Sequence, residues 1–450
     1  MTPSSPPTWK TFLAFLGPLM LSNVLQSLSG TLNNVYLGQM LGVQALAAVT
    51  AFFPVLFFFI SFIIGLGAGA SVLIGQAYGA RNPERVKAIA GTALSVTLMA
   101  GFVVALFGGT FTQVLLTSLG TPANILPDAT AYARVMLLSM PAMFTFLLLT
   151  AMMRGVGDTV TPLLALILAT VIGLLVTPAL IRGWAGLPML GVRAGAYASI
   201  ISAFVTVVWL AFYMRRRKHP LAPDATLARH MWIDWNILKT VLRIGVPSGV
   251  QMIVLSLSEL AVLSLVNRFG SDATAAYGAV TQVLSYVQFP AISITITVSV
   301  FGAQAIGGGH VDRLGGITRT GVLLNLVITG GLVALTSLGA RTLVGFFITN
   351  PEVVEMAVGL LHIVLWSSVV FGLAGVFSGM MRASGTVLAP TAISIFAILA
   401  VEIPVAYVLS GRMGLNGIWM AYPVAFATML ILQATYYRMV WSRRAIQRLV

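Results

Sequence analysis

Met152–Pro162 reads MMRGVGDTVTP, and 228 positions later Met380–Pro390 reads MMRASGTVLAP. Met-Met-Arg, Gly157/Gly385 and Pro162/Pro390 fall in register. The same shift lays Gly17 on Gly245, Gly42 on Gly270, Ala45 on Ala273, Gln76 on Gln304, Gly79 on Gly307 and Arg85 on Arg313. Small residues are common in apolar helices, so the matched Gln, Arg and Pro carry most of the weight. An offset held from Gly17 to Pro162 marks the chain as an internal duplication.

What is duplicated follows from composition. The 450 residues are 58% hydrophobic and 8% charged, with mean hydropathy +0.98, whereas soluble domains carry roughly 25% charged residues. A bilayer core about 30 Å thick is crossed by about 20 apolar helical residues. Twelve spans are expected, at 11–37, 44–74, 88–116, 129–153, 160–182, 191–214, 238–267, 274–306, 316–340, 353–380, 388–410 and 416–440. The fold class is therefore an all-α polytopic membrane protein of two six-helix repeats. The expected division is an N-terminal lobe (1–214), a cytoplasmic linker (215–237) and a C-terminal lobe (238–450). Six spans return the chain to its starting side, so the copies run parallel, a plan known from secondary transporters with the substrate site between halves. Channels also arise by duplication, but a two-lobed monomer of this length favours a transporter.

The formal charge of +14 takes its meaning from position. With the N-terminus inside, nineteen of the 25 Lys and Arg residues fall on the cytoplasmic side, including Arg81, Arg85, Lys87, Arg215–Lys218, Arg313 and Arg443–Arg444. Arg134, Arg182, Arg193, Arg268, Arg341 and Arg412 fall outside. This is the positive-inside pattern of a plasma membrane protein with both termini cytoplasmic, and it argues for lipid contact rather than nucleic acid. The opening MTPSSPPTWK lacks the basic region and small-residue cleavage site of a secretory signal. With no cysteine, disulfides, thiolate metal sites and a cysteine nucleophile are excluded. The glycine run at 307–309 lacks the following Lys-Ser/Thr of a nucleotide cradle, so no cofactor is expected and transport is not driven by ATP on this chain.

TLNNVYLGQMLG (31–42), GQAYGARNPERV (75–86), MMRGVGDTVTP, FGSDATAAYGAV (269–280) and GLNGIWMAYPVAF (414–426) resemble the multidrug and toxic compound extrusion (MATE) family, along essentially the whole chain. That resemblance implies two six-helix lobes around a V-shaped cavity, exporting organic cations and amphipathic drugs against inward H⁺ or Na⁺. The chain departs from the family at its acids. Asn33 stands where many members carry an aspartate in the first span, Phe371 where a branch has one in the tenth, and Leu255 where the seventh-span carboxylate is common.

Eleven acids remain, and all but Glu259 and Glu402 lie in loops or at span ends. An ionisable group inside a span costs about 2.5–3.5 kcal/mol on an insertion scale and is functional by default. Glu259 precedes Arg268 by nine residues, Glu402 precedes Arg412 by ten, and His362 follows Glu352 by ten. At 1.5 Å per residue all three lie about 14–15 Å below the outer surface. Glu259, Glu402 and His362 are thus the candidate coupling site, holding a shared proton or coordinating Na⁺. Against this stands packing alone: each glutamate could simply hydrogen-bond a neighbouring helix, and a lone histidine is often a satisfied polar residue. Pro404, beside Glu402, leaves a backbone carbonyl without its usual donor. Asn33, Asn34 and Tyr36 in the first span and Gln282, Tyr286 and Gln288 in the eighth are candidates for lining a substrate cavity, interhelical hydrogen bonding being the alternative. Pro18, Pro247 and Pro290 are expected to bend their helices.

Two rivals complete the reading. A flippase of a lipid-linked or polyanionic substrate would place basic residues within the spans, where few occur. A membrane-embedded enzyme would need a clustered catalytic set, yet of four histidines three (His219, His230, His310) are in loops.

Overall fold

The computed structural model describes residues 9–450; the leader at 1–8 lies outside them. The described chain is helical throughout, as its apolar runs dictate. Eleven helices are long and apolar enough to cross a membrane: Trp9–Met40, Val43–Gly79, Pro83–Gly108, Val160–Arg182, Gly191–Arg216, Trp235–Asn267, Ser271–Gly307, Val311–Leu338, Pro351–Ala383, Leu388–Met413 and Leu415–Arg443. A bent pair, Leu126–Leu138 and Met140–Gly155, makes the twelfth, in fourth place along the chain. Each expected span is present, eleven of them to within five residues at either end, while the third, expected at 88–116, runs from Pro83 to Gly108.

The fourth span bends by 54° because Pro141 has no N–H for the carbonyl of Leu137. The Ser139 hydroxyl donates to the Met136 carbonyl at 2.6 Å instead. At the position 228 residues on, the Ser367 hydroxyl donates to Val364, where the tenth span pauses between Val364 and Ser367. The copies thus share an interruption that neither apolar pattern announces. Pro18, Pro247 and Pro290, by contrast, sit inside continuous helices.

The loops repeat as closely. The Gly157 N–H donates to Arg154 and that of Asp158 to Met153; Gly385 donates to Arg382 and Thr386 to Met381. Gly157 and Gly385 have φ of 86° and 82°, the left-handed turn a glycine permits. After the second span Asn82 N–H donates to Ala77, and after the eighth His310 N–H donates to Ala305. Asn82 also caps the third span, its Oδ1 accepting from Arg85 N–H at 3.0 Å.

The chain packs as two compact units. One comprises residues up to Met20 with Gly79–Arg81 and Pro247–Val450; the other comprises Leu21–Tyr78 and Asn82–Val246. In the second of these the stretch after the sixth span folds back on its own helices. His219 Nε2 lies 3.0 Å from Asp158 Oδ2, Lys87 Nζ lies 3.1 Å from Asp224 Oδ2 and donates to Ala222, and Ser95 donates to Met231. A Cβ on Gly91 would overlap the His230 carbonyl. Burial works against the Asp158 charge, but hydrogen bonds from His219 and Thr161 outweigh it and hold this carboxyl below its ordinary range. Asp224 is likewise lowered, chiefly by the Leu227 N–H.

Candidate functional site

Span eleven is three pieces: an α-helix Leu388–Phe396, a π turn Ala397–Glu402 and an α-helix Ile403–Met413. Pro404 cannot donate to the carbonyl one α-turn earlier, and the wider π winding absorbs the defect. Glu402 closes the π turn and is 2% exposed. Its Oε1 accepts a hydrogen bond from the Ser258 hydroxyl at 2.9 Å, and Ser258 is itself fully buried in the seventh span. A carboxylate in this setting is held by one neutral donor and faces no basic partner. Among the described residues no ion pair involves Glu402 or Glu259.

Glu259 follows Ser258 directly and is exposed; adjacent helical residues diverge by about 100°. Tyr277 and Tyr422 both pack into the buried core of this unit. Trp419 packs between them, with ring centroids 5.3 Å from Tyr277 and 5.7 Å from Tyr422. Its indole N–H is buried with no partner among the described residues. The geometry thus brings Glu402 to Ser258 on spans seven and eleven and sets Tyr277, Trp419 and Tyr422 side by side on spans eight and twelve of the same unit, with Glu259 on an adjoining face.

His362 is not brought to this cluster. It is exposed, with Nε2 3.2 Å from the carbonyl of Ser337, a neighbouring helix end. Phe371, in the place of the tenth-span acid, packs tilted against Phe426 with ring centroids 5.2 Å apart.

The other unit encloses a cavity of about 300 Å³. Asn33 and Tyr36 line it, together with Met136, Met143, Thr170 and Ser202. Tyr36 O–H donates to the Leu174 carbonyl at 3.4 Å. Asn34 is exposed and outside the lining. Gln282, Tyr286 and Gln288 are half-buried on the eighth span. Gln282 and Tyr286 share a face with Phe289, whose ring is 5.5 Å from Tyr286, while Gln288 points elsewhere around the helix.

Sequence reasoning missed Ser258, Tyr277, Trp419 and Tyr422. The signal was present in GIWMAYP (417–423), where Trp419 and Tyr422 stand three apart on one helical face. It missed also that the cavity takes its walls from the fourth, fifth and sixth spans. The described residues hold no group of three or more His, Asp or Glu arranged for a metal ion.

Comparison with known proteins agrees with this architecture. A relative from Bacillus subtilis (strain 168), "Probable multidrug resistance protein YoeA", is 48% identical over 449 residues, 99% of this chain and 97% of its own. "Probable multidrug resistance protein NorM" of Thermotoga maritima is 26% identical over 446 residues, covering 95% and 92%. A solved structure described as the outward-facing conformation of a multidrug resistance MATE family transporter has TM-score 0.90 at 22% identity, covering 98% of this chain and 97% of that one. A MATE structure in the bent conformation has TM-score 0.88 at 23% identity, covering 98% and 96%. The family described as MatE matches residues 18–179 and again 247–408, once in each copy found by the 228-residue shift, and the chain belongs to that family.

Proposed function

We propose that this chain is a secondary-active multidrug exporter that expels organic cations and amphipathic compounds in exchange for inward H⁺ or Na⁺, rather than an enzyme. It acts as a monomer in the bacterial plasma membrane with both termini cytoplasmic, its lobes being 1–214 and 238–450 and its linker 215–237. The names of its relatives support the substrate class. Support for ion coupling rests on one observation above all: Glu402, inside a span, is buried on a π turn with only Ser258 as donor. An acid so placed is costly to insert and has no structural ion pair to justify it.

In this reading Glu402 takes the ion and Glu259, the exposed neighbour, delivers it. With the ion bound, the carboxyl is neutralised and the packing of spans seven and eleven is favoured. When the ion leaves, the bare charge disfavours that packing and biases the unit toward the alternative arrangement. The π turn supplies a segment of helix able to change its winding at low cost. Asn33 and Tyr36 serve the substrate in the N-terminal cavity, with Gln282, Tyr286 and Gln288 secondary. His362 acts through its contact with the Ser337 carbonyl. A polyanion flippase fits less well, because no Lys or Arg lines the cavity.

The test is reconstitution in liposomes with a fluorescent organic cation, imposing a pH gradient and a Na⁺ gradient separately. Efflux should follow one of the two. Indifference to both removes the antiport reading and restores the flippase.

A further inference from the structure

The glycine run at 307–309 has no lysine after it in sequence, yet the fold brings cations to it from elsewhere. A polar cleft of about 320 Å³ is lined by Gly79–Arg81 from the turn after the second span, by Gly307, Gly308 and His310 from the turn after the eighth, and by Arg448 from the C-terminal tail. All belong to one compact unit. The lining contains no acid. Among the described residues none of the three basic side chains is engaged in a hydrogen bond or ion pair.

Three details show that the cations are placed. Gly309 has φ 80°, and a Cβ there would stand 2.7 Å from Arg448 Nη2, so the guanidinium rests against bare backbone. A Cβ on Gly308 would press on His310 Cδ2 at 3.1 Å. Arg81 has φ 55°, a left-handed conformation that disfavours side chains, at the position where the second copy has Gly309. A cation is thus kept at the cleft in a conformation glycine would hold more easily.

Basic residues near helix ends often serve the terminal carbonyls. Here those carbonyls are already used: Ala77 accepts from Asn82, Ala305 from His310, Gln304 from Gly308 and Ile306 from Gly309. The arginines are left over.

We propose that this cleft binds one phosphate group, that of an anionic phospholipid or of free phosphate, with Arg81 and Arg448 donating to its oxygens and His310 as third donor. Arginine forks suit phosphate oxygens. The positive-inside pattern puts the cleft on the face where anionic lipids lie. The site is independent of ion-driven export, so either idea stands if the other fails.

The test uses the full-length protein and the double variant Arg81→Asn/Arg448→Gln, asparagine being chosen because it tolerates the left-handed backbone. Binding of short-chain phosphatidylglycerol, short-chain phosphatidylcholine and inorganic phosphate is titrated by calorimetry in detergent, with Arg443→Gln/Arg444→Gln as a charge-matched control. Affinity for phosphatidylglycerol or for inorganic phosphate should fall about tenfold or more in the cleft variant, and the probe affected identifies the source. The control should bind as the wild type. Equal binding by wild type and cleft variant, or an equal loss in the control, overturns the site. A monodisperse size-exclusion profile for both variants shows that a loss is not unfolding.

Discussion

The second span and the eighth hold the same place in their copies, yet the apolar window of Val43–Gly79 is 28% buried and that of Ser271–Gly307 is 72% buried. Around the eighth span the side chains interlock, with Tyr277, Val280, Val283 and Val287 buried against Leu361, Ile418 and Trp419. The second span is sparsely packed, and its copy holds a cavity lined by Asn33 and Tyr36 among the first, fourth, fifth and sixth spans. The carboxylate follows the same division: Glu402 falls, under the shift, where the first copy has Leu174. One copy became a container and the other a tightly packed seat for a charge. A densely packed setting gives a buried carboxyl few ways to be solvated, so a change at that carboxyl is felt by its whole surroundings.

The largest expected break in this contrast is at Glu402. Glu402→Gln should reduce gradient-driven efflux to the level of protein-free vesicles, while Asn33→Ala should leave coupling intact and weaken substrate affinity by about 1 kcal/mol, the value of one hydrogen bond. Initial efflux rates against substrate concentration separate the two. Wild-type rates for Glu402→Gln in correctly inserted protein would sink the assignment.

Next is packing near the start of each copy's last span. A Cβ on Gly417 would overlap the carbonyl of Leu409, whereas one on Gly195 meets nothing closer than Asn33 Oδ1 at 3.8 Å. Gly417→Ala should therefore cost about 1–3 kcal/mol by overpacking. Gly195→Ala should be neutral or stabilise by up to about 1 kcal/mol through helix propensity. Thermal unfolding in detergent compares them directly, and equal melting temperatures would contradict the difference in packing.

The smallest effect concerns the segments that follow each copy. Both last spans end in a stacked aromatic pair, Trp209–Tyr213 at 4.9 Å and Tyr437–Trp441 at 5.0 Å. Beyond them the linker is held by Asp158–His219 and Lys87–Asp224. The tail is held by Trp441 N–H on Ser384 at 2.9 Å and by Leu449 against Gly385. Asp158 and Asp224 are both lowered on folding. Their contribution is complete above about pH 4, the unfolded value, and fades as pH falls through the lowered one. Hydrogen exchange should show residues 217–234 loosening below about pH 4 while 441–449 stays protected. Identical acid responses would show that the linker's ion pairs do not hold it.

The spans, the duplication and the paired loop turns were legible because each is written along one dimension, in apolar runs and in Gly, Pro and Arg at a constant offset. Distance along a helix was legible too, setting Glu259, Glu402 and His362 nine or ten residues from a charged residue. Facing was not. In a helix apolar on every side no stripe marks the inner face, so nothing in the order of residues told Glu402 toward Ser258 from His362 toward Ser337. The aromatic cluster of Tyr277, Trp419 and Tyr422 was hidden among many apolar rings for the same reason. The break at Ser139 was written in Pro141, but a proline two residues into a new helix looks the same in sequence as one inside an old helix. Pro18 and Pro247 show the second case.

The π turn at Ala397–Glu402 makes the ancestry of that carboxylate unusually fragile. It holds more residues per revolution than an α-helix, so losing a single codon there would let the helix rewind. The helix beyond would keep its facing, and only residues of the turn itself, Glu402 among them, would swing round, by up to about 100°. A lineage could silence this acid without substituting it, and related sequences one residue shorter in this span would carry glutamate in the alignment but not in the protein's interior.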